Sequence, residues 1–329
     1  MKKLIFRMMT VCTVAVVIVT MALLFAGCSD STGNPKGQYN PKDQDNPNTP
    51  GGDEGSSAVT EITSDTGIVL IKITAGTFSM GQAYYVIPVH SVTLTSGFYM
   101  GKYQVTQEQY KAVMENSNPS SFTTAVEGES GTPDKLPVET VSWYDTLVFC
   151  NKLSIAEGLS PAYKISGSTD PADWGSAPTE SDPAWDAVEI VTDSNGYRLP
   201  TEAQWEYACR AGTTTAFNNG NDNYDTVGAI AWYKDNSSSK THKVGLKTAN
   251  AWGLYDMHGN LAEWCWDRYG GYSGSAQTDP VGPSSGAPRV IRGGGWNGSA
   301  QGVGSAFRFI EYPISRKNNL GFRLLRPNN

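Results

Sequence analysis

Apolar residues run almost unbroken from Met8 to Ala26, behind Lys2, Lys3 and Arg7, and the run stops at Leu24-Phe25-Ala26-Gly27-Cys28. A positive start, an apolar middle and small residues before a cysteine form the pattern of a lipoprotein signal over residues 1–27, with acyl chains on Cys28 after cleavage. A transmembrane helix is the alternative, because the run approaches the length that spans a bilayer. Residues 28–60 are Asn, Pro, Gly, Asp and Ser with almost nothing apolar. Such a segment cannot bury enough surface to offset its ordering entropy and predicts a disordered tether. The remaining residues, 61–329, carry no second linker and predict one domain.

Within that domain, "IVLIKITAGTFSM" from Ile68 and "HSVTLTSGFYM" from His90 alternate apolar and polar residues. Both read as half-buried strands that pair antiparallel. Thr106 with Gln109 in "VTQEQYKAVM", and Ser142 ahead of "WYDTLVFCNKLS" with Leu147, Val148 and Leu153 at helical spacing, predict N-capped helices. A third helix is predicted in "LPTEAQWEYACRAG", capped by Thr201, with Trp205 and Cys209 on one face and Gly212 at its end. The polar, Pro-rich stretch between Gly158 and Asn195 reads as a loop insertion. After Gly212, runs such as "RVIRGG" and "GFRLLR" predict short strands among loops held by aromatic packing.

Charge and composition narrow the functions available. The formal charge is −7 and becomes −10 without residues 1–27, which hold three cations and no acid. That balance argues against a nucleic-acid partner and against a basic membrane-binding face. Besides Cys12 and Cys28, the cysteines are Cys150, Cys209 and Cys265. An odd set cannot all pair internally, and no zinc spacing is present. The three histidines, His90, His242 and His258, have no paired metal spacing; His90 reads as structural or exposed. Gly282-Pro283-Ser284-Ser285-Gly286 matches G-x-S-x-G but sits in a Pro/Gly loop, where no nucleophile elbow forms. The G-x-G-x-x-G match at Gly293–Gly298 has no helix after it to bind a pyrophosphate. In "GLYDMHGNLAEW", Asp256 and Glu263 are hard oxygen ligands flanking a Gly-containing turn. The pattern suits calcium, or an ordinary capped turn.

"AGTFSMG", "YQVTQEQYKAVM", "PVETVSWYDTLVFCNKLS", "GYRLPTEAQWEYACRAG", "NAWGLYDMHGNLAEW", "RVIRGGGWN" and "LGFRLLR", in that order, resemble the sulfatase-modifying factor family, the formylglycine-generating enzyme type. The resemblance covers nearly the whole domain. It implies an α+β, C-type-lectin-like fold with little regular secondary structure. It also implies an oxidase that binds copper through two cysteines after the G-G-x-[WY] block and converts a substrate cysteine to formylglycine. This chain departs from the pattern there: Gly298 and, approximately, Val303 stand at the thiolate positions, and no cysteine follows Cys265. Copper needs soft ligands, so none is expected. Cys150 and Cys209 match cysteines that form disulfides in some members, but their partners correspond to about Leu324 and Ala306, which predicts free, buried thiols. For calcium, the resemblance implies side chains at Asp256 and Glu263 and carbonyls at Gly259 and Leu261. The family's other calcium site has no acidic counterpart between Trp232 and Asn250.

A narrower resemblance covers residues 289–326. "RVIRGGGWNGSAQGVGSAFRFIEYPISRKNNLGFRLL" is similar to the C-terminal variable region of proteins diversified by retroelements, some of them treponemal lipoproteins of this fold. The resemblance implies a fixed scaffold that includes Arg292, Arg308, Pro313 and Arg316, and a ligand-binding set of Trp296, Asn297, Gly298, Ser299, Gly302, Gly304, Phe307, Phe309, Ile310, Glu311, Tyr312 and Ile314. Aromatic residues give contact area at modest entropy cost, and small ones leave room for a ligand. Against this stands a core strand, with Phe307 and Phe309 on its buried face. The leading expectation is a surface-displayed lipoprotein, anchored at the outer membrane or cell surface, that presents a diversified and non-catalytic site to a protein or glycan. The alternatives are an oxidase acting on a protein cysteine and a purely structural envelope module.

Overall fold

The computed structural model describes residues 59–83, 86–129 and 135–328. The signal, Cys28 and all but the end of the tether lie outside the described residues. Among the described residues no helix is long and apolar enough to cross a membrane.

The first apolar run divides in two. β1 (Glu61–Thr63) and β2 (Val69–Ile73) pair antiparallel, whereas β3 (Gly76–Gln82) pairs with β4 (Val86–Leu94) in a different sheet. The alternation from Ile68 to Met80 is therefore not one strand. It changes phase across Thr74 and Ala75, where the chain changes sheets: Ile71 and Ile73 point into the core before the switch, Phe78 and Met80 after it. β5 (Phe98–Gly101) then returns to β2 antiparallel.

Helices start where local chemistry dictates. In α1 (Gln107–Val113) and α2 (Trp143–Ala156), Thr106 with Gln109 and Ser142 with Asp145 form reciprocal capping boxes. Each box satisfies two N–H groups that a helix start leaves open. α2 buries Trp143, Tyr144, Leu147, Phe149 and Leu153 against Trp264 and Phe322.

The stretch from Gly158 to Asn195 is not a peripheral insertion. It contains β6 (Tyr163–Lys164), α3 (Pro183–Asp186) and β7 (Glu189–Ile190), with β6 and β7 paired. Tyr163, Ile165, Trp174, Trp185 and Val188 all belong to the main core. Burying two Trp side chains outweighs the polar composition around them.

α4 (Glu202–Arg210) opens on a third capping box, Thr201 with Gln204. Its left-handed exit begins at Ala211, φ 46°, one residue before Gly212. Trp205, Ala208 and Cys209 pack into a second core with Ile71, Val92, Phe98 and Val290. β8 (Ala231–Trp232) pairs with β9 (His258–Gly259) in parallel.

Beyond α4 the chain has more regular structure than its composition suggests. β10 (Ala262–Arg268) runs seven residues, followed by β11 (Gln277–Thr278), β12 (Arg289–Arg292), β13 (Arg308–Glu311), β14 (Leu320–Gly321) and β15 (Leu325–Pro327). The sheet orders are β1-β2-β5-β15, β13-β12-β10-β14 and β11-β4-β3. The fold is α+β with few helices and many short strands, and β13 lies at the edge of its sheet.

Cys150, Cys209 and Cys265 are free and buried, which for Cys150 and Cys209 is what the family resemblance implies. Burial pushes the Cys209 thiol up to about 12 and raises Cys150 and Cys265 as well. All three are protonated packing groups, without thiolate character.

Candidate functional site

The tail is fastened by three arginines, each to a carboxylate on a helix. Arg292 is fully buried; its Nη1 donates to the Ala306 and Phe307 carbonyls, and its Nη2 donates to the Ser305 carbonyl and to the Glu206 carboxylate. Glu206 also accepts from Arg210 Nε at 2.9 Å and from the Gly81 N–H at 2.8 Å. Arg308 holds Glu202 with Nε at 2.7 Å and Nη2 at 2.5 Å, and donates through Nη1 to the Gly270 carbonyl. Its guanidinium lies 4.5 and 4.3 Å from the ring centroids of Tyr269 and Tyr272. Arg316 grips Asp145, the acid of the α2 capping box, at 2.9 and 3.1 Å. Forked pairs of this kind fix position as well as energy.

His258 adds a fourth fastening. Its Nδ1–H donates to the Val303 carbonyl at 2.6 Å, and its Nε2 accepts from the Asn218 N–H at 3.2 Å. Burial lowers its pKa to about 4, so the neutral ring that these two bonds require persists through the physiological range.

Between these fastenings the side chains turn outward. Phe309 is 39% exposed, Ile310 47% and Tyr312 56%. Asn297 and Ser299 are exposed too, and Trp296, Gly298, Phe307, Glu311 and Ile314 are half-buried. The core-strand alternative therefore fails. Phe307 and Phe309 do share a face, with ring centroids 4.9 Å apart, but that face is open. Two residues of the expected set depart from it: Gly302 and Gly304 are buried. They shape the backbone under the surface, since a Cβ on Gly302 would meet the Phe309 ring and one on Gly304 would crowd the Gln301 carbonyl at 3.2 Å. Glu311 is tied back by Lys317 and Ser315.

The surface also recruits residues that the sequence reading missed. Phe122 meets Trp296 edge-to-face at 5.5 Å. On the other side of β13, a cavity of about 280 Å³ is lined by His90, Glu202, Asp267, Tyr272, Val281 and Arg308, among others. His90 is buried there, with Nδ1 at 3.1 Å from the Pro88 carbonyl. Asp267 accepts the Glu202 N–H at the start of α4, yet burial, reinforced by the Glu202 carboxylate, raises its pKa to about 7. No local motif announces these residues, which arrive from four distant segments.

The calcium candidates converge. The carbonyls of Asp256, Gly259 and Leu261 and Oε1 of Glu263 lie 2.9–3.4 Å from a single atom, Gln104 Nε2. Gly259, φ 76°, is the residue that lets the turn close, because a Cβ there would sit 2.1 Å from the Trp232 carbonyl oxygen. An amide nitrogen has two hydrogens and cannot serve four acceptors. Asp256 Oδ1 and Gln104 Oε1 are both buried without a hydrogen-bond partner among the described residues. These hard oxygens fit calcium, with carbonyls supplying most of the ligands. Two groups compete for the place: the Gln104 amide, and Arg323, which pairs with both oxygens of Glu263 at 2.9 Å.

The copper position does not fit its metal. Gly298 and Val303 carry no soft atom, and Val303 is wholly buried. Among the described residues no three His, Cys, Asp or Glu side chains converge as a metal site.

With this geometry in place, comparison with known proteins gives the family. Residues 57–328 match the Sulfatase-modifying factor enzyme 1-like domain, and the chain belongs to that family. It is 37% identical over 246 residues to the Chaperone protein LppX of Paenibacillus barcinonensis, covering 69% of this chain and 78% of that one. It is 34% identical over 156 residues to the formylglycine-generating enzyme of Streptomyces coelicolor, covering 43% of this chain and half of the enzyme. Among solved structures, Treponema denticola variable protein 1 is 38% identical with a TM-score of 0.75, covering 82% of this chain and 99% of that one.

Proposed function

We propose that the domain displays a diversified, non-catalytic ligand-binding surface at the cell surface or outer membrane, held there by lipid on Cys28. The observation that carries this reading is the division of labour in the tail. Arg292, Arg308 and Arg316 are committed to carboxylates on α4 and α2, while Phe309, Ile310 and Tyr312 face solvent and hold nothing in the core. A surface built this way tolerates replacement of its contact residues, because its position does not depend on them. The likeness to a treponemal variable protein supports the same reading. The ligand is a macromolecule, protein or glycan, contacted by Trp296, Asn297, Ser299, Phe307, Phe309, Ile310, Tyr312 and Ile314.

The competing activity is oxidation of a protein cysteine, which formylglycine-generating relatives bring to mind. Copper loading followed by oxygen-electrode measurement with a Cys-containing peptide separates the two. The binding reading expects oxygen uptake at the level of the peptide and copper without protein; turnover above that background contradicts it.

Calcium is proposed as a structural ion held by Asp256, Gly259, Leu261 and Glu263. Binding only the folded state at one hundred times its dissociation constant would add about 2.7 kcal/mol. Millimolar calcium is therefore expected to raise Tm relative to a chelator, and an unchanged Tm removes the ion from the account.

A further inference from the structure

We infer that β13 takes up its ligand by strand addition, so that the partner is an extended polypeptide segment and the surface is not a glycan site. The inference rests on the ligand-binding reading and sharpens it. β13 is the last strand in the order β13-β12-β10-β14. It pairs with β12 through Arg292 and Arg308, Ile291 and Phe309, Val290 and Ile310, and Arg289 and Glu311. In an antiparallel pair only alternate residues of a strand exchange hydrogen bonds with the neighbour; the others point their N–H and C=O groups away. Along Arg308–Glu311 those outward groups have no partner among the described residues. They form a row of alternating donors and acceptors, the complement of another peptide backbone.

Natural sheets blunt such an edge with charge, proline or a bulge. β13 is short, at four residues, and has a charge at each end, but it has neither a proline nor a bulge. Its two charged residues are turned to other duties, Arg308 to Glu202 and Glu311 to Lys317. Pro313 comes after the strand, and the strand's pairing with β12 runs without a register shift. The two central residues, Phe309 and Ile310, are exposed on opposite faces. An added strand would find the Phe307–Phe309 pair on one face. On the other it would find Ile310 and the cavity that Arg308 helps to line. That is the usual division in strand addition: backbone bonds give affinity, and alternate side-chain pockets give specificity.

The test uses the full chain and random linear heptapeptides. Peptides selected on the protein are resynthesised with a single N-methyl group at each position in turn. β13 has four residues and so only two outward carbonyls; strand addition predicts a loss of at least about tenfold at two peptide positions, two residues apart, and little change between them, since one lost hydrogen bond and one methyl clash cost about 1.4 kcal/mol or more. Peptides that need Phe309 and Tyr312, yet tolerate N-methylation everywhere or lose affinity without alternation, overturn strand addition and leave the binding surface standing. Failure to select any peptide also overturns it. Selected peptides indifferent to Phe309→Ala and Tyr312→Ala contradict both readings. Sedimentation of the protein alone covers the remaining occupant: a dimer that Ile310→Lys dissolves would mean that the edge pairs with a second copy, and the inference would fall.

Discussion

Replacing Arg292 with methionine is expected to destabilise the domain by about 3–5 kcal/mol, the range seen when one partner of a buried ion pair is removed. Glu206 is fully buried and would keep Arg210 and the Gly81 N–H but lose its second cation. The carbonyls of Ser305, Ala306 and Phe307 would lose their shared donor at the same time. Methionine restores most of the volume, so the loss reports charge and hydrogen bonding more than a cavity. Urea unfolding followed by far-UV circular dichroism measures it. Arg292→Met combined with Glu206→Gln should deepen the loss, because Glu206 still pairs with Arg210 and the second change leaves that buried cation without its carboxylate. A single-variant loss below about 1 kcal/mol would mean that the tail is not held in this way. Phe309→Ala and Tyr312→Ala supply the contrast, with surface-scale changes of about 0.5 kcal/mol.

The second large effect is in pH. Asp267 titrates at about 7 in the folded state, raised by burial, against an ordinary value of about 3.9 in the unfolded chain. Between those values the unfolded state has released the proton while the folded state retains it. The native state therefore binds more protons, and stability falls as pH rises through this window. About three pH units at about 1.4 kcal/mol each bound the contribution near 4 kcal/mol. Asp267→Asn keeps an oxygen for the Glu202 N–H and removes the titration. The variant is expected to match the parent near pH 4 and to exceed it by a few kcal/mol at pH 8, measured as parallel urea curves. Equal pH profiles for parent and variant would show that Asp267 ionises freely in the fold.

What the sequence disclosed and what it hid follow the range of the interactions involved. The helix starts were legible because a capping box closes within three residues, at Thr106 and Gln109, Ser142 and Asp145, and Thr201 and Gln204. The free thiols at Cys150 and Cys209 were legible through the family resemblance, since about Leu324 and Ala306 stand where their partner cysteines would be. The stretch from Gly158 to Asn195 was misread because Trp174 and Trp185 find their places only against α2 and each other. Alternation around Phe309 could not decide between core and surface. Period two says that faces alternate, whereas the exposure of Phe309 and Ile310 depends on what packs over each face, which contacts distant in sequence set. The convergence of Gln104 on the proposed calcium ligands was equally hidden, because it arrives from about 150 residues upstream of its acceptors.

The central claim is that the tail is a fixed scaffold carrying replaceable contacts. Sequencing this gene across many isolates tests it most directly. The account predicts substitutions concentrated at Asn297, Ser299, Phe307, Phe309, Ile310, Tyr312 and Ile314, with Arg292, Arg308 and Arg316 unchanged alongside Glu206, Glu202 and Asp145. Residues 297–314 that differ no more among isolates than residues 60–290 would contradict it.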